Sequence, residues 1–186
     1  MEDASDEVLI AKIAKSDRLA MAALFARYRL RVYRFVLRMV RNATIAEDLN
    51  SDVFLEIWRQ AGTFEGRAAV STWIFSIARY KALDTSRKRK ALTEHDLPPN
   101  PEPSPEAKAM QASSSDYMRT CMMALSQEHR EIIDLVYFHE KSVKEVSEIL
   151  NIPEATVMTR MFYARKKLKE MLQTEGDQRD VFSYGK

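Results

Sequence analysis

The sequence predicts an all-α protein of two small helical domains joined by a proline-rich linker, the C-terminal domain carrying a helix-turn-helix. Three observations carry this. Only four glycines occur in 186 residues, while Leu, Ala, Met, Arg, Lys and Glu, all good helix formers, dominate. Five of the six prolines fall between Leu92 and Ser115, where apolar residues are sparse and no helix can be sustained. Residues 141–172, KSVKEVSEILNIPEATVMTRMFYARKKLKEML, hold two helical periodicities separated by a tight corner.

In chain order, the first domain, 1–91, is predicted to contain four helices. One covers about Asp6 to Lys15 and a second about Asp17 to Arg41. A third begins at Thr44, where Thr44 and Glu47 match a capping box, and ends before Gly62. A fourth covers about Val70 to Lys90. Leu49, Val53 and Ile57 repeat every four residues and face the core. The linker, 92–115, leans acidic, and its first half is extended. The second domain, 116–173, opens with helices near Tyr117–Leu125 and Gln127–His139. In the pair that follows, Ser142 and Glu145 form a capping box, and Val143, Val146, Ile149 and Leu150 give a buried face. Asn151 suits a left-handed helix end and Pro153 the first turn of the next helix. There Val157, Met161, Ala164, Leu168 and Leu172 make one stripe, and Thr159, Phe162 and Lys166 lie opposite it. The tail, 174–186, is read as a frayed end.

Composition excludes several classes. Hydrophobic residues make up 46% of the chain, enough for a packed core, and the net charge of +2 is too small for a generic polycation. The single Cys121 cannot form an internal disulfide and fits a reducing cytoplasm. No apolar run reaches the ~18 residues that span a bilayer, and the acidic start MEDASDE is not a signal peptide. A cytoplasmic protein without membrane insertion is expected. His95, His129 and His139 lack the spacing of a metal site. No catalytic residue, metal or cofactor is expected.

Three segments suggest binding. The loop AGTFEGRAAVST, Ala61 to Thr72, carries Phe64 and Arg67 between two helices, and the next helix ends in Arg87, Lys88, Arg89 and Lys90. Aromatic groups stack on bases and cations neutralise phosphates. The same residues also fit a structural account: Trp73, Ile74, Ile77 and Ala78 have core spacing, and a basic helix end complements the helix dipole. The helix around Glu47, Asp48, Asp52 and Glu56 is acidic with interspersed Phe54, Leu55 and Trp58, fitting either a solvated face or a protein-docking surface. The six arginines from Arg27 to Arg41 spread around their helix, and a structural role is expected, some of them pairing with acids of the neighbouring helix. The helix-turn-helix suits a DNA major groove, or an ordinary helical hairpin with a solvated basic face.

The ordered set of these parts, from about Leu24 to Leu172, resembles a bacterial extracytoplasmic-function sigma factor of the sigma-70 family. AEDLNSDVFLEIW, Ala46 to Trp58, is similar to the segment of that family that docks on RNA polymerase. FEGRAAVSTWIFSIARYKALDTSRKRK, Phe64 to Lys90, is similar to its promoter-melting and −10-reading part, and the helix-turn-helix to its −35 reader. The resemblance implies polymerase contacts at Asp48, Ser51, Asp52, Leu55 and Glu56. It implies −10 contacts at Phe64, Arg67, Ser71, Arg79, Tyr80, Arg87 and Lys88. It implies −35 contacts at Thr156, Met158, Thr159, Arg160, Phe162, Tyr163 and Lys166. The partners implied are core RNA polymerase, promoter DNA and an anti-sigma factor. Asn50, Ser51, Tyr80, Ala155 and Met158 depart from common family wording and lie on these surfaces, so the promoter sequence is not implied. A conventional helix-turn-helix regulator and a sigma-mimic interaction protein are the rival expectations.

Overall fold

A computed structural model describes residues 4–96 and 120–183, with side chains described for 4–91 and 120–173. The linker prolines and the final residues 184–186 lie outside the described residues. Helix α1 is Asp6–Ile13, α2 Arg18–Val40, α3 Ala43–Gln60 and α4 Val70–Asp96. After a helical segment at residues 120–124 come α5 Gln127–Ile133, α6 Val143–Leu150 and α7 Glu154–Ser183. A 3₁₀ turn, Ala61–Thr63, follows α3, and a π-helical turn, Asp134–Phe138, continues α5. Among the described residues there is no strand, and no helix is long and apolar enough to cross a membrane.

Local chemistry sets most of the helix ends. The Ser5, Asp17 and Ser126 side chains accept from backbone N–H groups of the first turns of α1, α2 and α5. Arg41, at φ 55°, closes α2 in the left-handed region. The cap of α3 is Asn42, whose Oδ1 accepts from the Ile45 N–H at 3.0 Å. Thr44 is therefore inside the helix rather than at its cap, because Asn42 presents an equivalent oxygen two residues earlier on extended backbone. α4 runs six residues past Lys90, to Asp96. The first proline comes only at Pro98, so nothing before Leu97 is barred from helix. α7 likewise continues beyond 173 to Ser183, and the tail is helical rather than frayed over that stretch. A lone Gly176 costs a helix only about 1 kcal/mol.

α2 is the hub of the first module, packing on α1, α3 and α4. Leu24, Val32, Phe35, Val53, Ile57, Ile74 and Phe75 are fully buried there. Each such side chain contributes roughly 1.5–3 kcal/mol by leaving water. Tyr28 and Arg27 donate to Asp6 and tie α1 to α2. Burial, then the Asp6 hydrogen bond, raises the Tyr28 phenol above its usual range, so it stays a donor.

The two modules also pack on each other, α4 against α6. Ile132, Leu135, Val146, Ile149, Leu150 and Val157 join the core of the first module. His139 is buried between the rings of Phe35, 5.8 Å away, and Phe75, 4.5 Å away. Met122, Leu125, Ile133 and Ala164 form a smaller cluster under α7.

Candidate nucleic-acid and protein interfaces

The loop between α3 and α4 builds a pocket. α3 ends at Gln60, the 3₁₀ turn releases Phe64 into extended backbone, and Gly66 takes φ 70°. A side chain at that φ would be strained, so glycine sets the corner. The hollow, about 470 Å³, is lined by Phe64, Arg67, Trp73, Ser76 and Glu148 among others. The Phe64 and Trp73 rings sit 4.9 Å apart and tilted, an aromatic wall of the kind that receives a planar base. Trp73 is half-buried: it supports the core with one side and separates this hollow from a second one, about 380 Å³, bounded by Glu56, Tyr80 and Lys81. Core spacing alone therefore describes only part of what Trp73 does.

The other expected −10 residues fall into two groups. Arg67, Tyr80, Arg87 and Lys88 are exposed. Arg67 pairs with Glu65 in open solvent, a contact of little energetic weight. The Asp84 carboxylate, 2.7 Å away, raises the Lys88 ammonium above its usual range through a hydrogen bond and its charge. Ser71 and Arg79 are instead held by the second module. Ser71 Oγ accepts from Lys141 Nζ, and Arg79 Nε donates to Glu131 Oε2 at 3.0 Å.

On α3, Asp48, Ser51, Asp52 and Leu55 are all exposed. Their spacing of three, four and seven residues puts them on one stripe. Glu56 turns aside, pairing with Lys81 at 3.0 Å and Gln60 at 2.7 Å. The Lys81 hydrogen bond, then that from Gln60, hold its carboxyl below the usual range. The acid-rich stripe is therefore open to solvent beside an exposed leucine, with Glu56 at its margin.

The helix-turn-helix forms as its caps direct. Ser142 and Glu145 make a reciprocal capping box, and Asn151 ends α6 at φ 53°. Val157 and Ala164 are buried, while Met158, Thr159, Phe162, Tyr163 and Lys166 face solvent on α7. Phe162 is 64% exposed, far more than packing alone requires. Thr156 is half-buried, and Arg160 leans to the flank, where Nη2 meets Glu128 at 3.0 Å.

Several features escaped the sequence pattern. Arg31 and Arg38, seven residues apart, share one face of α2, and Arg41 follows at its C-cap. Arg31 donates to the His139 carbonyl, Arg38 pairs with Asp134, and Arg41 donates to the Met123 carbonyl. Arg27, paired with Asp6 of α1, follows the expectation of an acid on the neighbouring helix, whereas of these three only Arg38 meets an acid, and all three partners lie in the second module. Lys141 and Glu145 bridge the modules through Ser71 and Thr72. An apolar groove of about 590 Å³ runs between Tyr137, Phe138, Leu168 and Leu172. Its sequence signal is the far end of the apolar stripe, Leu168 and Leu172.

Comparison with known proteins matches this arrangement. The family model described as Sigma-70 region 2 matches residues 24–92, and that described as Sigma-70, region 4 matches residues 115–168. The chain is 31% identical over 173 residues to the ECF RNA polymerase sigma factor SigK of Mycobacterium sp. strain KMS, covering 89% of this chain and 90% of the relative. It is 27% identical to the SigK of Mycobacterium tuberculosis strain H37Rv, covering 89% and 92%. Its fold is similar to that of CnrH in complex with the cytosolic domain of CnrY, with a TM-score of 0.67 and 20% identity over 91% of this chain and 97% of that one. It is also similar to the sigma factor RpoE in complex with the anti-sigma factor NepR from Bartonella quintana, with a TM-score of 0.65 and 21% identity over 80% and 94%.

Proposed function

This chain belongs to the extracytoplasmic-function sigma factors of the sigma-70 family, and from that membership we propose how its surfaces divide the work of promoter-specific initiation. The polymerase performs the chemistry; this chain, working in the cytoplasm with it, supplies recognition and no catalytic group. The domain divisions are those of the chain order: 1–91 for docking and −10 capture, 92–115 as connector, 116–173 for the −35 element, and a tail at 174–186.

The stripe of Asp48, Ser51, Asp52 and Leu55, with Glu56 at its edge, docks on core RNA polymerase. Its carboxylates meet a basic partner surface, and the exposed leucine supplies an apolar anchor. The pocket behind Phe64 takes an unstacked −10 base. Arg67, Ser71, Arg79 and Tyr80 surround the strand, and Arg87 and Lys88 hold its phosphates. On α7, Thr156, Met158, Thr159, Arg160, Phe162, Tyr163 and Lys166 meet the −35 duplex, the hydroxyls and cations reading edges or phosphates and the aromatic and methionine side chains giving apolar contact. An anti-sigma factor restrains the protein by covering the Ala46–Trp58 helix, the helix-turn-helix, or both.

The observation that supports this most is the Phe64–Trp73 wall of the 470 Å³ hollow at the start of α4, the helix that also carries Arg79, Arg87 and Lys88. A conventional repressor reads duplex DNA and has no use for an aromatic-walled hollow next to its basic helix. Binding to core polymerase tests the docking half. Asp52→Lys with Leu55→Ala should weaken the complex at least about tenfold, a loss of 1.4 kcal/mol, while helicity stays unchanged. Undiminished binding would remove the α3 stripe from the interface.

A further inference from the structure

We infer that the free protein closes on its own strand-capture site, with acids of the second module occupying groups that promoter DNA needs; this rests on the promoter-binding role proposed above. Four contacts converge on one side of α4. Glu148, from α6, forms part of the wall of the Phe64–Trp73 hollow. Thr72 Oγ1, at the rim, donates to Glu145 Oε1 at 2.9 Å. Lys141 Nζ donates to Ser71 Oγ and, at 2.7 Å, to Glu145 Oε1. Arg79 is engaged by Glu131, whose other oxygen accepts from Gln127 Nε2 at 2.8 Å. Arg38, on α2, pairs with Asp134 and extends the seam.

These contacts are not surface decoration. Thr72 is 1% exposed, Asp134 2%, Glu131 6% and Lys141 7%. Each ion pair sets one buried partner against one that is partly exposed, Arg79 at 24%, Arg38 at 29% and Glu145 at 27%, and losing the partly exposed one leaves the buried one unsatisfied. Leu135 and Val146 pack into the first module's core beneath them, so closure has an apolar base and a polar rim. The rim's chemistry is what gives it a role. A carboxylate is the side chain that most resembles a phosphate oxygen to an arginine. Glu131 therefore competes with nucleic acid for Arg79, and Glu148 sets a negative charge on a hollow meant for a base on a polyanionic strand. Opening must precede strand capture, which lowers the free protein's apparent affinity by the fraction that is open.

The experiment measures binding of a randomised single-stranded DNA pool to the full chain by fluorescence anisotropy, with small-angle X-ray scattering on the same samples. Three proteins are compared: wild type, E131Q/E148Q, and E7Q/E170Q, whose substitutions make the same charge change at exposed positions away from the seam. The expected result is compact scattering and weak binding for wild type and the control pair. E131Q/E148Q is expected to expand and to bind at least about tenfold tighter. Separated modules in the wild-type scattering overturn the inference without reference to any variant. Equal gains in both variants, or no gain in either, overturn it as well. Transcription by wild type with core polymerase is read in parallel. Its absence overturns the promoter role and this inference with it, whereas normal transcription with unchanged DNA binding overturns closure alone.

Discussion

Lys141 is the residue on which the seam between modules turns. Its buried ammonium donates to Ser71, Thr72 and Glu145, which uses all three of its protons. Lys141→Met keeps much of the volume but strands those acceptors. It should lower stability by roughly 1–3 kcal/mol in urea denaturation, and a loss below a few tenths would mean the contact is not formed in solution. Glu145 responds to pH. Burial alone would raise its carboxyl, but hydrogen bonds from Lys141, the Ser142 N–H, Thr72 and the Ser142 hydroxyl outweigh burial and bring it down to about 2. Because folding lowers this pKa, its contribution is full above the ordinary value of 4.5 and fades as pH falls toward about 2. Glu145→Gln should therefore flatten the acid limb of the stability curve across that window; superimposable limbs would contradict the assignment. On α7, Arg160→Ala should reduce promoter use by about 1–3 kcal/mol if it removes a base contact, and Lys166→Ala by less if it removes one phosphate contact. Transcription that is unchanged by either variant across a salt series would take both residues out of the DNA interface.

At the scale of elements, what was legible in the sequence was whatever is decided locally. Ser142 with Glu145, Asn151 and the Val157–Ala164 stripe mark the helix-turn-helix because capping and periodicity need only near neighbours. The start of α3 was harder, since Asn42 and Thr44 both offer a capping oxygen and only backbone geometry chooses between them. Asn42→Ala should cost about 1 kcal/mol, and Thr44→Ala much less, in thermal denaturation; the reverse order would restore Thr44 as the cap. The candidate surfaces were legible as segments. Their side chains divided on grounds no local pattern carries: Glu56 and Lys81 belong to different helices, as do Arg79 and Glu131. Arg31 and Arg38 share a face, but their partners lie about a hundred residues away and are not visible in any short window.

At the scale of the molecule, two helical modules that must serve separated promoter elements are packed on one another by a continuous core and a polar rim. A regulator that binds both modules at once would favour this arrangement, while polymerase and DNA favour a separated one. Ligands shift such an equilibrium only through their differential affinity for the two states. An anti-sigma factor should therefore compete with core polymerase; a recovered regulator that binds together with core and leaves promoter opening unchanged would rule out occlusion. This chain confers promoter choice on RNA polymerase. In vitro transcription with purified core polymerase on a promoter library tests it most directly. Initiation is expected only when the chain is added, from promoters sharing a −35 and a −10 element, and it should be lost with Phe64→Ala. Tight duplex binding without any initiation, on every promoter in the library, would contradict it.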